Sequence, residues 1–163
     1  MYDRISVFDA ARYILKNSKW NLSQIELQKL LYIAQMVHLG KHGRPLMRGM
    51  FTASKYGPRN ESLREILKIY GLEALSYKDV GGKDRAIKNG STEQEVLDEV
   101  VEEVSGRTPA QLMNFICWEE GAWHQTYDER YIHLVISEFD MIEEYLKREK
   151  IAQQDTDDQQ ENE

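Results

Sequence analysis

Apolar residues recur with the 3.6-residue period of an α-helix in six stretches of this chain. Five of these stretches begin with a Ser or Thr that has an acidic residue or Gln three positions later, the pattern of a helix capping box. The second stretch carries the longest apolar stripe, from Leu27 to Val37, and Gly40 is its predicted end. We therefore expect this helix to form the centre of the core. The six predicted helices lie at about residues 7–16, 24–39, 59–70, 93–105, 109–116 and 138–146.

Two other segments have β character. Apolar and polar residues alternate between Met50 and Tyr56, and residues 131–136, "YIHLVI", are rich in β-branched side chains. The second segment fits either a short extended piece or part of one continuous helix from Asp128. The polar connection at 72–90 is long for a compact domain, and such connections are usually mobile or functional. The pattern predicts a mainly α-helical, compact single domain of about six helices with a small β element, its short strands near 50–56 and 131–136.

The composition is typical of a soluble globular protein. Of the 163 residues, 41% are apolar and 30% are charged, and no apolar run approaches the about 18 residues that a membrane span needs. The charges of Asp3, Arg4 and Asp9 interrupt the N-terminal segment where a secretory signal would have its apolar core. The single cysteine, Cys117, cannot form an internal disulfide. We therefore expect a cytoplasmic protein that does not insert into a membrane.

Negative charge is concentrated at the C-terminal end. The net charge is −7, and five acidic residues lie in the final segment "IAQQDTDDQQENE". This segment has too little apolar surface to offset the entropy of ordering it, so we expect a helical domain at 1–150 and a disordered acidic tail at 151–163. Direct binding to nucleic acid is disfavoured, because it relies on clustered Lys and Arg.

Few residues suggest a chemical reaction. His38 and His42 are four positions apart, as two metal ligands on one helix would be, but Gly40 and Gly43 interrupt the helix, so two solvated histidines are expected. A thiol enzyme built on Cys117 would require a lowered thiol pKa and an orienting third group. We therefore predict no catalytic residue, no metal and no cofactor. The enzymatic alternative would act around Cys117, Glu119, Glu120 and His124.

Three stretches in this order resemble the Panacea domain, a family also described as SocA-like or GepA-like phage-associated proteins. The stretch "LQKLLYIAQMVHLGKHGRPL" at 27–46 has the family's helix and its G-x-P-L turn, and "TASKYGPRNESL" at 52–63 has its K-Y-G-P segment. The third stretch, "SGRTPAQLMNFICWEEGAWHQTYDE" at 105–129, is a looser match, with Cys117 where a histidine is expected and Ala122 where a Pro is frequent. The resemblance spans roughly residues 5 to 148 and leaves the acidic tail outside it.

The resemblance implies an antitoxin that binds a toxin protein. Proteins of this family are encoded beside diverse small toxins and neutralise them, and one member is an adaptor that delivers its toxin to the ClpXP protease. It follows that the expected partner is a toxin protein, with a ClpXP-type protease as a second partner in the adaptor mechanism. A mobile-element protein that binds a host defence factor is a further alternative. The oligomeric state is not constrained by the sequence.

Motif positions with aromatic or turn-forming residues are the candidates for contact with a partner. Tyr32 fits either an interface anchor or a core-edge residue whose hydroxyl reaches water. The "KYGP" turn fits either presentation of Lys55 and Tyr56 to a partner or packing of Tyr56 onto the helices. Core packing is favoured for Trp123 and left open for Trp118. The predicted partner-binding residues are Tyr32, Lys55, Tyr56, Gly57, Pro58, Arg59, Trp118 and Trp123.

Overall fold

A computed structural model describes residues 4–162 and confirms a compact, mainly α-helical fold with a small β element. It contains seven α-helices, one more than expected, and two short 3₁₀ helices within that range. The helices are α1 (Val7–Asn17), α2 (Gln24–His42), α3 (Glu61–Leu67), α4 (Thr92–Glu103), α5 (Pro109–Ile116), α6 (Ala122–Thr126) and α7 (Glu138–Glu161). The strands are β1 (Thr52–Ser54) and β2 (Gly57–Arg59), and the 3₁₀ helices are Lys68–Tyr70 and Tyr77–Val80.

Helix α2 is the central element of the fold, as its apolar stripe predicts. Helices α1, α4, α5 and α7 and strand β2 all pack against it. Because it has neighbours on several sides, it is buried on almost every face, including the faces of Gln28, Lys29, Gln35 and His38. The capping box of Ser23 and Glu26 at its start is present as predicted.

The predicted end of α2 at Gly40 is wrong. The helix continues to His42 and ends at Gly43, whose left-handed backbone (φ 68°) favours glycine. Gly40 instead lies where α7 crosses α2, and a Cβ at this position would overlap the ring of Tyr145. This glycine therefore permits a close approach of two helices and does not terminate one.

The β element is a hairpin with an extended segment along its other edge. Strands β1 and β2 are antiparallel, with Thr52 opposite Arg59. On the far side of β1, the N–H of Ala53 donates to Leu134 O (2.8 Å) and the N–H of Ile136 donates to Phe51 O (2.9 Å). The predicted β character of 131–136 is therefore present as an isolated bridge and not as a full strand, and a continuous helix from Asp128 is excluded because α7 begins only at Glu138.

Helices α6 and α7 also differ from the sequence prediction. The five-residue helix α6 was missed, because an apolar period cannot be recognised in so short a segment. Helix α7 continues through the acidic C-terminal residues to Glu161, where the sequence predicts disorder. Residues 151–162 are all exposed, so this part of α7 lacks a packed face. The division of the chain at residue 150 stays a prediction, and residues 1–3 and 163 lie outside the described residues.

Candidate partner-binding surface

Two glutamines of α2 attach loops of the chain to the central helix. The side-chain amide of Gln28 donates to Asn60 O (3.0 Å), and its oxygen accepts from the Asn60 N–H (2.8 Å). In the same way, the Gln35 oxygen accepts from the N–H groups of Leu46 (2.8 Å) and Met47 (3.0 Å), and its amide donates to Met47 O (3.2 Å). Each glutamine thus satisfies buried backbone groups of a segment that lies outside the two strands.

The hairpin turn packs against α2 at Gly57, which lies next to Lys29. Gly57 has a positive φ of 106°, and a Cβ there would lie 3.0 Å from Met113 Sδ and 3.7 Å from Lys29 Cε. A side chain at this position would therefore press on Met113 of α5, and its backbone would be strained by the positive φ. The hydroxyl of Ser54 closes the turn by donating to Gly57 O (2.8 Å). Lys55 and Tyr56, between them, are exposed, and 63% of Tyr56 is accessible.

Trp123 supports the hairpin from behind. Its indole N–H donates to Ser54 O (2.9 Å), and its ring stacks on that of Tyr127 with 4.7 Å between the ring centroids. Only 8% of Trp123 is exposed, so it is a core residue, as the sequence analysis favoured. It holds the turn that presents Lys55 and Tyr56.

Exposed apolar side chains flank the hairpin. Tyr131 and Ile132 are 58% and 81% exposed, and together with His133 they line a cavity that Lys55, Tyr56 and Arg59 of the hairpin also line. Large exposed apolar side chains next to one another are typical of surfaces that bind a protein. We call the set Lys55, Tyr56, Arg59, Tyr131 and Ile132 the hairpin surface.

A second cavity, of about 210 Å³, lies between the hairpin, the first two turns of α2 and α3. Its cationic lining residues are Lys29, Arg59 and Arg64, and among the described residues that line it none is acidic. Lys29 is only 2% exposed, and burial lowers its pKa against the opposing attraction of Glu26. The residues that line the cavity are Gln24, Ile25, Gln28, Lys29, Ser54, Tyr56, Pro58, Arg59 and Arg64.

The first two motifs of the sequence therefore meet in space, with Gln28 joined to Asn60 and Lys29 packed under Gly57. The family model described as "Antitoxin SocA-like, Panacea domain" matches residues 27–124, which is more than half of the chain. The chain belongs to this family. The resemblance noted in the sequence is thus confirmed. Searches of curated proteins and of solved structures gave no match.

The family match begins at Leu27 and ends at His124, so it includes most of α2, the hairpin and the first three residues of α6 and leaves α1 and α7 outside. Within this Panacea domain, Gly57 and Pro58 are buried and Arg59 is half-buried, with its Nε donating to Glu61 (2.9 Å). The two buried residues shape the turn, whereas Lys55 and Tyr56 are the motif residues that a partner can reach.

The structure separates Tyr32 and Trp118 from the hairpin surface. Tyr32 is fully buried, its ring meets Phe51 edge-on at 5.6 Å, and its hydroxyl has no hydrogen-bond partner among the described residues. Burial raises the Tyr32 pKa well above its usual value. Its hydroxyl reaches neither water nor a partner at the surface. Trp118 is half-buried beside Arg148, whose guanidinium carbon lies 4.6 Å from its ring, in a separate groove between α2, α4, α5 and α7.

The groups considered for chemistry have other environments. Burial raises the pKa of the Cys117 thiol, the opposite of what a thiolate nucleophile requires. His38 is fully buried, which corrects the expectation of two solvated histidines. Its Nδ1 lies 2.7 Å from Arg44 O and its Nε2 lies 2.9 Å from the Thr92 hydroxyl, so both ring nitrogens are engaged by the protein itself.

Sequence reasoning did not single out Lys29 or Arg64. A signal existed for Lys29, because it lies in a helix that is otherwise apolar or amide-bearing over three turns, where a charged side chain must be buried. No comparable signal marks Arg64, which reaches the cavity only through the packing of α3.

In the described part of the chain no helix is long and apolar enough to cross a membrane.

Proposed function

We propose that this protein is an antitoxin that binds a cognate toxin protein in the cytoplasm and neutralises it. The observation that carries the proposal is the match of the Panacea antitoxin family over residues 27–124, which includes the family's helix, its G-x-P-L turn and its K-Y-G-P segment. Neutralisation here requires binding and no chemical step. The raised pKa of the Cys117 thiol supports a role without catalysis, since the enzymatic alternative would depend on that thiol.

The hairpin surface is the proposed contact with the toxin. Tyr56, Tyr131 and Ile132 offer exposed apolar area, and Lys55 and Arg59 add positive charge at its edge. Rigid backing favours such a role, because a turn held by Trp123 and Gly57 loses little conformational entropy when a partner binds. Within the family motif, Lys55, Tyr56 and Arg59 would touch the toxin, while Gly57, Pro58 and Trp123 would position them. Trp118 would extend the contact into its own groove, and Tyr32 would act only by supporting the core.

The toxin is to be found by isolating this protein from its native host under mild conditions and identifying what co-purifies by mass spectrometry. The partner is then expressed alone and together with this chain. We expect a small protein encoded next to it that arrests growth alone and is tolerated when co-expressed. The proposal fails if no co-purifying protein is toxic in the absence of this chain.

Variants of the surface then test where the toxin binds. Tyr56→Ala combined with Ile132→Ala should weaken the complex at least tenfold, because both side chains are exposed in the free protein and lie at the proposed contact. Trp20→Ala is the matched control, since Trp20 is an aromatic residue that is 61% exposed at the α1–α2 connection, outside the hairpin surface. Equal loss of affinity in the control and in the double variant would contradict the assignment of this surface.

Occlusion of the toxin and delivery to a ClpXP-type protease are two mechanisms by which binding can protect the cell. They differ in one measurement, the survival of cells that express both proteins but lack the protease. We expect survival, because a stable complex that covers the toxin's active surface needs no further component. Growth arrest in those cells would assign the adaptor mechanism, and a co-purifying host defence factor in place of a toxin would assign the mobile-element alternative.

A further inference from the structure

The cavity beside the hairpin contains a buried ammonium group that the protein itself satisfies only in part. Lys29 Nζ donates to the carbonyl of Ile25 at 3.3 Å, a long hydrogen bond within the same helix. An ammonium has three protons to donate. Glu26 attracts this charge, but one oxygen of its carboxylate, Oε1, accepts from the Ser23 N–H (3.3 Å) and hydroxyl (3.1 Å) in the capping box. The position of Lys29 is therefore costly for the free protein and suited to an anion that arrives from outside.

The surroundings of Lys29 add to this preference. Arg59 and Arg64 line the same cavity. Arg59 forms an ion pair with Glu61, whose carboxylate lies 2.9 Å from Arg59 Nε. Glu61 does not line the cavity, but it offsets part of the positive charge of Arg59. The Gln28 amide is already bonded to Asn60 in both directions and does not compete for the ligand. The balance of charge at the cavity is positive.

The shape of the cavity indicates the kind of anion. Its volume is about 210 Å³, and Ile25, Pro58 and Tyr56 contribute apolar surface to its walls. A free inorganic anion would leave those walls uncovered, whereas the methylene groups of an acidic side chain would cover them. Tyr56 also belongs to the hairpin surface, so the cavity is continuous with the proposed contact.

We infer that this cavity binds an acidic side chain of the partner protein, with Lys29 and Arg64 pairing with its carboxylate and Tyr56 packing on its methylene groups. The inference rests on the proposed function for the identity of the partner, but the preference of the cavity for a carboxylate is independent of it. The acidic side chain would arrive as part of the same surface that covers Lys55 and Tyr56. Binding would pair a charge that is otherwise buried at a cost, so this one contact would contribute strongly to affinity.

The preference for a carboxylate is tested first without any partner. The ¹⁵N-labelled full chain is titrated with N-acetylglutamate methylamide, with the glutamine analogue and with inorganic phosphate, each at constant ionic strength. We expect saturable shifts of the amide resonances of Gln28, Lys29 and Arg64 with the glutamate compound only. Lys29→Met should abolish these shifts, and Lys19→Met, which removes the same charge from an exposed position, should keep them. Equal shifts with glutamate and glutamine would overturn the inference, as would shifts with phosphate alone, which would assign the cavity to a free anion.

The contact is then tested in the complex with the toxin identified above. Lys29→Met should weaken binding about tenfold or more, while Lys19→Met should leave it within about twofold. In the toxin, replacing one Asp or Glu by Ala should weaken binding to the wild-type chain. The same replacement should leave binding to the Lys29→Met variant unchanged. Unchanged affinity of Lys29→Met would overturn the inference and leave the proposed function standing, whereas the absence of any toxin would overturn the function alone. Arg64→Met replaces the Lys29 variant if circular dichroism shows that the latter does not fold.

Discussion

Replacing Gln35 by Ala tests whether the buried polar residues of α2 hold the fold together. Gln35 is 2% exposed and makes three hydrogen bonds to the backbone of the loop at Leu46 and Met47. An Ala at this position leaves two N–H groups and one carbonyl without these partners in the interior. The loop then either keeps its place with unsatisfied polar groups or moves outward and exposes the buried side chains of Leu46 and Met47.

The size of the effect follows from those three contacts. An intramolecular hydrogen bond contributes about 1 kcal/mol net, and a buried backbone group left without a partner costs about 1–3 kcal/mol. Partial relaxation of the loop reduces the sum, so we expect Gln35→Ala to lower the free energy of unfolding by about 3–5 kcal/mol. This is a large part of the about 5–15 kcal/mol that stabilises a typical domain.

Urea unfolding followed by circular dichroism at 222 nm measures the change. Gln24→Ala is the matched control, because Gln24 lies on the same helix and makes one exposed hydrogen bond, to Gly71 O at 2.9 Å. We expect the control to lose less than about 1 kcal/mol. A loss for Gln35→Ala no larger than that of the control would refute the conclusion that this amide holds the loop in place.

Four further outcomes are expected from single changes. Gly40→Ala should destabilise the fold by about 1–2 kcal/mol, since the overlap of its methyl with Tyr145 outweighs the gain in helix propensity, and a raised melting temperature would contradict this close helix contact. Tyr32→Phe should leave the free energy of unfolding unchanged or higher, because its buried hydroxyl has no partner among the described residues, and a loss above about 1 kcal/mol would reveal one. Burial lowers the His38 pKa below its unfolded value, so the free energy of unfolding should fall as pH drops below about 6.5, by at most about 1.4 kcal/mol per pH unit. Urea titrations between pH 5 and 7.5 measure this slope, and the slope should be smaller in His38→Asn. Trp123→Phe should cost about 1 kcal/mol and increase hydrogen exchange in the hairpin, because it removes the bond to the turn, and unchanged exchange would argue against that supporting role.

The sequence predicted those helix features that depend on contacts between residues close together in the chain. The capping boxes at Ser23 and Thr108 and the Pro at the start of α5 involve neighbours three or four residues apart, so the sequence contains both partners. Gly40 shows the limit of such reasoning. A glycine inside an apolar helix reads as a stop signal, yet here it makes room for Tyr145, more than a hundred residues later in the chain.

The candidate site divides in the same way. The hairpin turn could be placed from "KYGP", because Gly and Pro restrict the backbone wherever they occur. The roles of the candidate residues could not be predicted from the sequence, because the exposure of Tyr56 and the burial of Tyr32 depend on which elements pack against them. The cavity could not be predicted from the sequence for the same reason, because its lining residues Lys29, Pro58 and Arg64 belong to three different elements.

Sequence patterns alone predict the helical class, the position of the central helix and the family, because apolar periodicity, caps and motif residues are properties of short segments. Tertiary structure decided that α2 is buried on almost all sides, that its glutamines bond to loops, and that its lysine lies in a cavity under the hairpin. The physical reason is that burial and hydrogen-bond satisfaction are set by groups far apart in the chain. A polar residue in an apolar helix signals that such a partner exists, and only the packed chain shows what it is.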